Sequence, residues 1–316
     1  MRDLDRVLRE PPEGGGNGIG CVGPDLPMDL LAVSGLWHGH LPWGTAAATP
    51  FADRWLETAF PGWARRILEQ WHEGRFDGLS RVLFSRADDA SQRLYYYTRE
   101  LRRLGKLAGP RPMIFDIALQ PRESSLSHTE AVLAELAADL DVQPERLVQG
   151  IAATNVMRGQ LAEAQARRGA ATGASRVLLA GSVPPDGRLH EAVEAAGAAV
   201  VAEAHVFGRN WLGPHLEAGD APPLRALAQH LRAHSVAPRS VIDRARWIVE
   251  EARAARADAV VLWLTREEES LAWHIPAQRR ALQEASIPAL VLTARTWLAD
   301  DGALAEITGF CRGVHP

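Results

Sequence analysis

The sequence predicts an α/β protein built as two doubly wound parallel-sheet domains joined by a helical linker. Three observations carry that reading. Seven short apolar runs are bounded by turn signals, longer segments of helical periodicity lie between them, and 316 residues suffice for two cores. Continuous apolar runs suit strands buried on both faces, and strand alternating with helix is the grammar of a parallel sheet.

Taken in order, residues 1–25 combine charges with Pro11, Pro12 and the glycines Gly14 to Gly16, a composition that does not repay the entropy of ordering; they are expected to form a mobile tail. The first domain, 26–142, holds strand candidates at 29–34, 81–85 and 112–117, with helices at 91–104 and 129–140. Residues 144–168 lack strand-like runs and set Leu147, Ile151, Leu161 and Ala164 among polar residues, so 143–173 is expected to be a helical linker. The second domain, 174–316, repeats the pattern with strands at 176–180, 198–202, 259–264 and 289–293 and helices at 188–196 and 276–285.

Composition removes several classes of function. A formal net charge of -4 gives no electrostatic footprint for nucleic acid. Lys106 is the only lysine, which leaves Schiff-base chemistry and lysine-dependent phosphate loops one poorly placed candidate. No GxGxxG follows the first strand candidate, and no GxxxxGK[ST] or GxSxG occurs. No signal-like amino terminus and no apolar run near the roughly 18 residues of a bilayer span is seen, so a cytoplasmic protein away from membranes is expected. The two cysteines, Cys21 and Cys311, supply neither a disulfide framework nor the thiolates of an iron–sulfur cluster.

In doubly wound sheets ligands gather beyond the carboxyl ends of the strands, so those loops hold the candidates. Trp37, His38 and His40 lie in one of them; two histidines without a third ligand are assigned no metal. Pro61 opens a helix whose dipole, with Arg65, offers an anion site, a proline-kinked surface helix being the plainer alternative. The run from Ser85 through Arg86, Asp88, Asp89 and Arg93 to Tyr95, Tyr96 and Tyr97 holds every tyrosine; three in succession do not share one helical face, so one is expected at the crevice or a partner. Ser182, Thr265 and Arg266 end strands of the second domain, and Glu203 and Glu268, like His38, have acid–base chemistry, although first-turn carboxylates also serve helix dipoles. Trp37, Trp43, Trp55, Trp63 and Trp71 form a bulky apolar wall or simply core.

Taken together, segments 51–77, 81–103, 176–203 and 257–292, with Leu271-Ala272-Trp273-His274-Ile275-Pro276 and Ser286-Ile287-Pro288, resemble the 2-hydroxyacyl-CoA dehydratase and benzoyl-CoA reductase subunit family. The resemblance implies two flavodoxin-like domains. It also implies paired subunits that hold a cubane iron–sulfur cluster through three cysteines and receive one electron from an ATP-dependent activator. At the three ligand positions this chain carries Phe60, the Arg86-Ala87 pair and the Thr265-Arg266 pair, none of which replaces a thiolate.

The expectation is therefore a cluster-free subunit that pairs with a homologous cluster-bearing subunit and helps form a site for an acyl-CoA thioester, with no cofactor of its own. Its substrate contacts are expected from Trp37, His40, Arg65, Ser85, Arg86, Arg93, Tyr97, Ser182, Thr265 and Arg266, because guanidinium makes directional contacts with phosphate oxygens. Two alternatives stand beside it: a stand-alone acyl-CoA or anion-binding regulatory module, and a redox-independent lyase or hydratase using His38, Glu203 or Glu268.

Overall fold

The computed structural model describes residues 18–45, 48–169 and 174–314, which fall into two compact units. The N-terminal unit contains, in order, β1 (Gly18–Val22), α1 (Met28–Leu31), β2 (Trp37–His40), α2 (Pro50–Trp55), α3 (Gly62–His72), β3 (Arg81–Ser85), α4 (Asp89–Arg103), β4 (Arg111–Phe115) and α5 (Glu123–Asp139). A 3-10 turn at Pro144–Arg146 then leads into α6 (Leu147–Gly169), which belongs to this unit as far as Gln160. Its sheet is all parallel, in the order β2-β1-β3-β4.

The C-terminal unit begins with the end of α6, then β5 (Arg176–Gly181), α7 (Arg188–Glu194) and β6 (Ala199–Ala204). Residues Arg209–Val241, with α8 (Arg209–Leu212) and α9 (Pro223–His234), return to the N-terminal unit. The chain then completes the C-terminal unit with α10 (Arg244–Ala254), β7 (Ala259–Thr265), α11 (Glu269–Ala272), α12 (Ile275–Glu284), β8 (Ala289–Arg295) and α13 (Ala303–Arg312). Its sheet, β6-β5-β7-β8, is also all parallel. Both units thus share the flavodoxin-type order, in which the chain winds to one side of its first strand and then to the other.

All seven residues of β7 are buried. Alternation sends Val260, Leu262 and Leu264 to the face covered by Ile248 and Ala252 of α10 and Ile275 and Leu282 of α12. α7 and α13 pack together, with the Thr308 hydroxyl donating to the Ala192 carbonyl at 2.9 Å.

Three expectations are corrected. The expected tail yields β1, whose five residues are all buried; residues 1–17 lie outside those described. The strand is rich in glycine because its neighbours leave no room: a Cβ on Gly18 would lie 2.6 Å from Leu79 Cδ2, and one on Gly20 2.7 Å from Leu41 Cδ2. The run at 29–34, expected as a strand, forms the helix α1, since four apolar positions do not separate a short buried helix from a strand.

The helix expected over 143–173 forms as α6, and it is packed. Arg158 and Asp29, both almost inaccessible, form a two-pronged ion pair with both contacts at 2.8 Å, and a Cβ on Gly150 would lie 1.9 Å from the Asp29 carbonyl oxygen. Finally, the expected second domain loses Arg209–Val241 to the N-terminal unit, where Arg158 donates to Leu212 and Arg225 pairs with Glu123 and Glu130.

Candidate functional site

In sheets of this order the winding reverses between the first and third strands, here β1 and β3 or β5 and β7, and ligands bind beyond the carboxyl ends of such strands. Serines stitch both points. In the N-terminal unit the Ser91 hydroxyl donates to the Val22 carbonyl at 2.9 Å and accepts from the Ser85 amide at 3.2 Å, while the Ser85 hydroxyl accepts from the Ala87 amide at 3.0 Å. Gly23, at φ +94°, passes so close that a Cβ would meet Ser91 Oγ at 2.7 Å. In the C-terminal unit the Ser182 hydroxyl accepts from the Thr265 amide at 3.1 Å, and the Ser182 amide donates to the Trp263 carbonyl at 2.8 Å. Gly181, at φ +103°, runs so near β7 that a Cβ would lie 2.2 Å from that same carbonyl oxygen. Ser85, Ser182 and Thr265 are thus placed at the crevices but engaged in holding strands.

Arg65, Arg93 and Tyr97 converge on a residue that the sequence reading missed, Glu57. Its carboxylate accepts from Arg93 at 2.5 Å and from the Tyr97 hydroxyl at 2.8 Å, and its carbonyl accepts from Arg65 at 2.5 Å. Arg65 also pairs with Asp53 at 2.7 Å. Phe60 lies beneath this group, 4.4 Å from the Arg93 guanidinium and edge-on to the Tyr97 ring. Burial, then the bond to Glu57, raises the Tyr97 pKa, so the phenol stays protonated and donates. Two cations balanced by two carboxylates give an incoming anion little field, and an anion would have to displace Glu57.

Arg86 likewise pairs with Asp116, and its carbonyl accepts from Arg239, which also binds Asp89 and Gln92. Asp88 caps α4 by accepting from the Ser91 amide at 2.7 Å, and burial pushes its carboxyl up to about 6.

His38 is half-exposed, with Nδ1 3.1 Å from the Leu36 carbonyl. Trp37 beside it is half-buried. His40 is fully buried between Trp43 and Trp211, with Nδ1 2.9 Å from the Leu41 carbonyl and Nε2 3.3 Å from the Gly23 amide. These partners assign the neutral tautomer with the proton on Nδ1. Burial agrees, lowering its pKa to about 3. His40 thus fixes β2 to the β1 turn, and both ring nitrogens are committed. Near it, Asp25 accepts from the Ser235 hydroxyl, and burial pushes its carboxyl up to about 7.

A buried ionisable cluster lies in the C-terminal unit. Glu203, 3% exposed on β6, accepts from His190 Nε2 at 2.9 Å and His205 Nε2 at 2.8 Å, with Arg168 Nη1 at 3.8 Å. His205 Nδ1 accepts from the Phe207 amide, which fixes its tautomer. Burial opposes the charge on Glu203, but the two imidazole bonds prevail and hold its carboxyl well below the usual range. Glu203 therefore orients imidazoles rather than exchanging protons near neutrality. His190 Nδ1 is buried and makes no hydrogen bond among the described residues, which leaves it the basic atom of the pair. His190 gave no sequence signal, because its carboxylate partner lies a whole helix and turn away.

Glu268 precedes α11 without capping it and faces the buried Arg244, whose pKa burial lowers to about 10 against the pull of that carboxylate. Arg266 is exposed, its amide donating to the Arg295 carbonyl at 2.9 Å. The three proposed proton-transfer groups therefore have separate partners: His38 in the N-terminal unit, and Glu203 and Glu268 in different clusters of the C-terminal one.

The model of the family "2-hydroxyglutaryl-CoA dehydratase, D-component" matches residues 114–305, more than half of the chain. The chain belongs to this family. No curated protein matches it in sequence. Among solved structures, one titled as the SBP FpvC in complex with Ni2+ from P. aeruginosa spans 95% of each chain at 12% identity, with a TM-score of 0.26, a likeness that carries no argument.

The iron–sulfur cubane implied by the resemblance needs three thiolates. Cys21 is sealed in β1 with Met28 Sδ at 4.0 Å, and burial pushes its thiol up to about 12; the buried Cys311 of α13 is pushed up to about 11. Among the described residues no group of three or more His, Cys, Asp or Glu is placed to hold a metal ion. The residues present do not fit the cluster. No helix of the described residues is long and apolar enough to cross a membrane.

Proposed function

We propose that this chain is a cluster-free subunit of the dehydratase type, pairing with a homologous subunit that bears the cluster and contributing to a site for an acyl-CoA thioester. One observation carries the reading. Both units keep the family's winding, while Phe60, Arg86-Ala87 and Thr265-Arg266 stand where the resemblance expects cysteines and both thiols are locked in the interior as weak acids. Redox chemistry, and the electron from an ATP-dependent activator, then belong to the partner. This chain supplies shape and polar contacts: Arg266 exposed beyond β7, and Ser85 and Ser182 beneath the two crevices.

The His190–Glu203 pair favours a second reading, an acid–base lyase or hydratase. A carboxylate that holds one imidazole nitrogen as a donor leaves the other as the acceptor a proton abstraction requires. Anaerobic purification with iron, acid-labile sulfide and the mass of any co-purifying chain separates the readings. An iron-free chain with a cysteine-bearing companion is expected. Stoichiometric iron in the isolated chain overturns the proposal, and acyl-CoA turnover by the lone chain, lost in His190→Asn, replaces it with the second reading.

A further inference from the structure

Two glycines of α6 differ in a way that the chain itself does not explain. Gly150 is required, because the Asp29 carbonyl lies against it. Gly159 sits in the middle of the same helix, exposed, with nothing within 4 Å of the place a Cβ would take. After proline, glycine is the least favourable residue in a helix interior, and no intramolecular contact compensates it here.

Gly159 also falls in a pattern. Ala152, Gly159 and Ala166 recur every seven residues, and Gln149, Val156 and Glu163 recur every seven between them; all six are exposed. Spacing of four and three is the seam of paired helices, and small residues at every second seam position let two backbones approach closely. Val156 is 61% exposed and Val148, two turns earlier, 54%, large apolar groups left to solvent on a helix whose other face is core.

Charge selects the occupant and its direction. If two copies of the helix lie antiparallel with Val156 on the twofold axis, positions that sum to 312 face one another. Glu145, in the 3-10 turn that leads into α6, then meets Arg167 of the other copy and Gln149 meets Glu163, each twice by symmetry. A parallel pairing would instead set Glu163 against Glu163 and Arg167 against Arg167. Glu145, Glu163 and Arg167 are all exposed, and Arg167 already reaches its own Glu163 at 3.6 Å, so the four cross-pairs close into a network.

We propose that the outer face of α6 is a self-association surface, on which a second copy of this chain docks its own α6 antiparallel across Val156. This goes beyond pairing with a cluster-bearing subunit and does not depend on it.

The test uses the full chain. Sedimentation equilibrium is expected to give a dimer. Val156→Cys introduces a thiol at the axis, both native cysteines being buried, and mild oxidation should link most of it into a covalent dimer, whereas the exposed α5 control Glu135→Cys should stay monomeric under the same conditions. Glu145→Arg or Arg167→Glu alone should weaken the dimer by about tenfold, and the double reversal should restore it. A monomer in sedimentation, or Val156→Cys cross-linking no faster than the control, overturns the proposal. So does a dimer indifferent to the charge reversals, or a co-purifying homologous subunit that shields Val156→Cys from alkylation. Absence of a co-purifying subunit bears on the proposed function and leaves these outcomes intact.

Discussion

The two units have the same winding and use the same serine stitch, yet they handle buried carboxylates in opposite ways. In the N-terminal unit Asp25 accepts from a neutral hydroxyl, that of Ser235, and burial favours its protonated form. In the C-terminal unit Glu203 lies between two imidazoles, and their bonds favour its charged form. The difference teaches that burial alone does not set a carboxylate's state; the donors around it do. It also separates two kinds of buried histidine. His40 is held by backbone partners on both ring nitrogens, whereas His190 and His205 each give Nε2 to a carboxylate.

The largest expected effect is at Gly181, with Gly23, its counterpart in the other unit, as the milder comparison. Gly181→Ala would drive a methyl group into the Trp263 backbone, which moves only with the strand, and should cost about 4 kcal/mol. Gly23→Ala would meet the Ser91 side chain and should cost about 2 kcal/mol. Urea unfolding followed by tryptophan fluorescence measures both; equal costs would show that the stitches are not built as described.

Glu203→Gln comes next, at about 3 kcal/mol, because one imidazole donor would face an amide donor inside the protein. The native carboxyl is depressed, so its stabilisation is present above the unfolded carboxylate pKa and is lost as pH falls through the folded value. Acid unfolding of the wild type should therefore be steeper than that of the variant.

Asp25 has the opposite sign. Its carboxyl is raised to about 7, so its stabilisation is complete below the unfolded value near 4 and is lost as pH rises through 7. Asp25→Asn, which keeps an acceptor for Ser235, should gain on the wild type by on the order of 3 kcal/mol between pH 4 and pH 8. A pH-independent difference would contradict a protonated Asp25. The smallest effect belongs to the surface cluster: Arg93→Ala should change stability by less than about 1 kcal/mol, since Arg93 is only half-buried and its partner Glu57 is exposed to solvent.

The strands of the C-terminal unit and β3 and β4 were legible because they are apolar runs buried on both faces. β1 was not, because its packing demands glycine, which reads as a loop. β2 was not, because Trp37-His38-Gly39-His40 reads as a polar turn. At the sites, Arg65, Arg93 and Tyr97 stand out by residue type, but Glu57, Arg239 and His190 depend on contacts 36, 150 and 13 residues distant in sequence, which no local pattern encodes.

The excursion of Arg209–Val241 has a consequence for synthesis. The unit that leaves the ribosome first is not complete when its own four strands have emerged. Arg158 waits for the Leu212 carbonyl, Asp25 for Ser235 and Asp89 for Arg239. By then β5, α7 and β6 have also been made, without β7 to pair with. The nascent chain therefore carries two unfinished units at once, the first without Arg209–Val241 and the second with the β7 edge of β5 unpaired, and this interval is where aggregation and the need for a chaperone should concentrate.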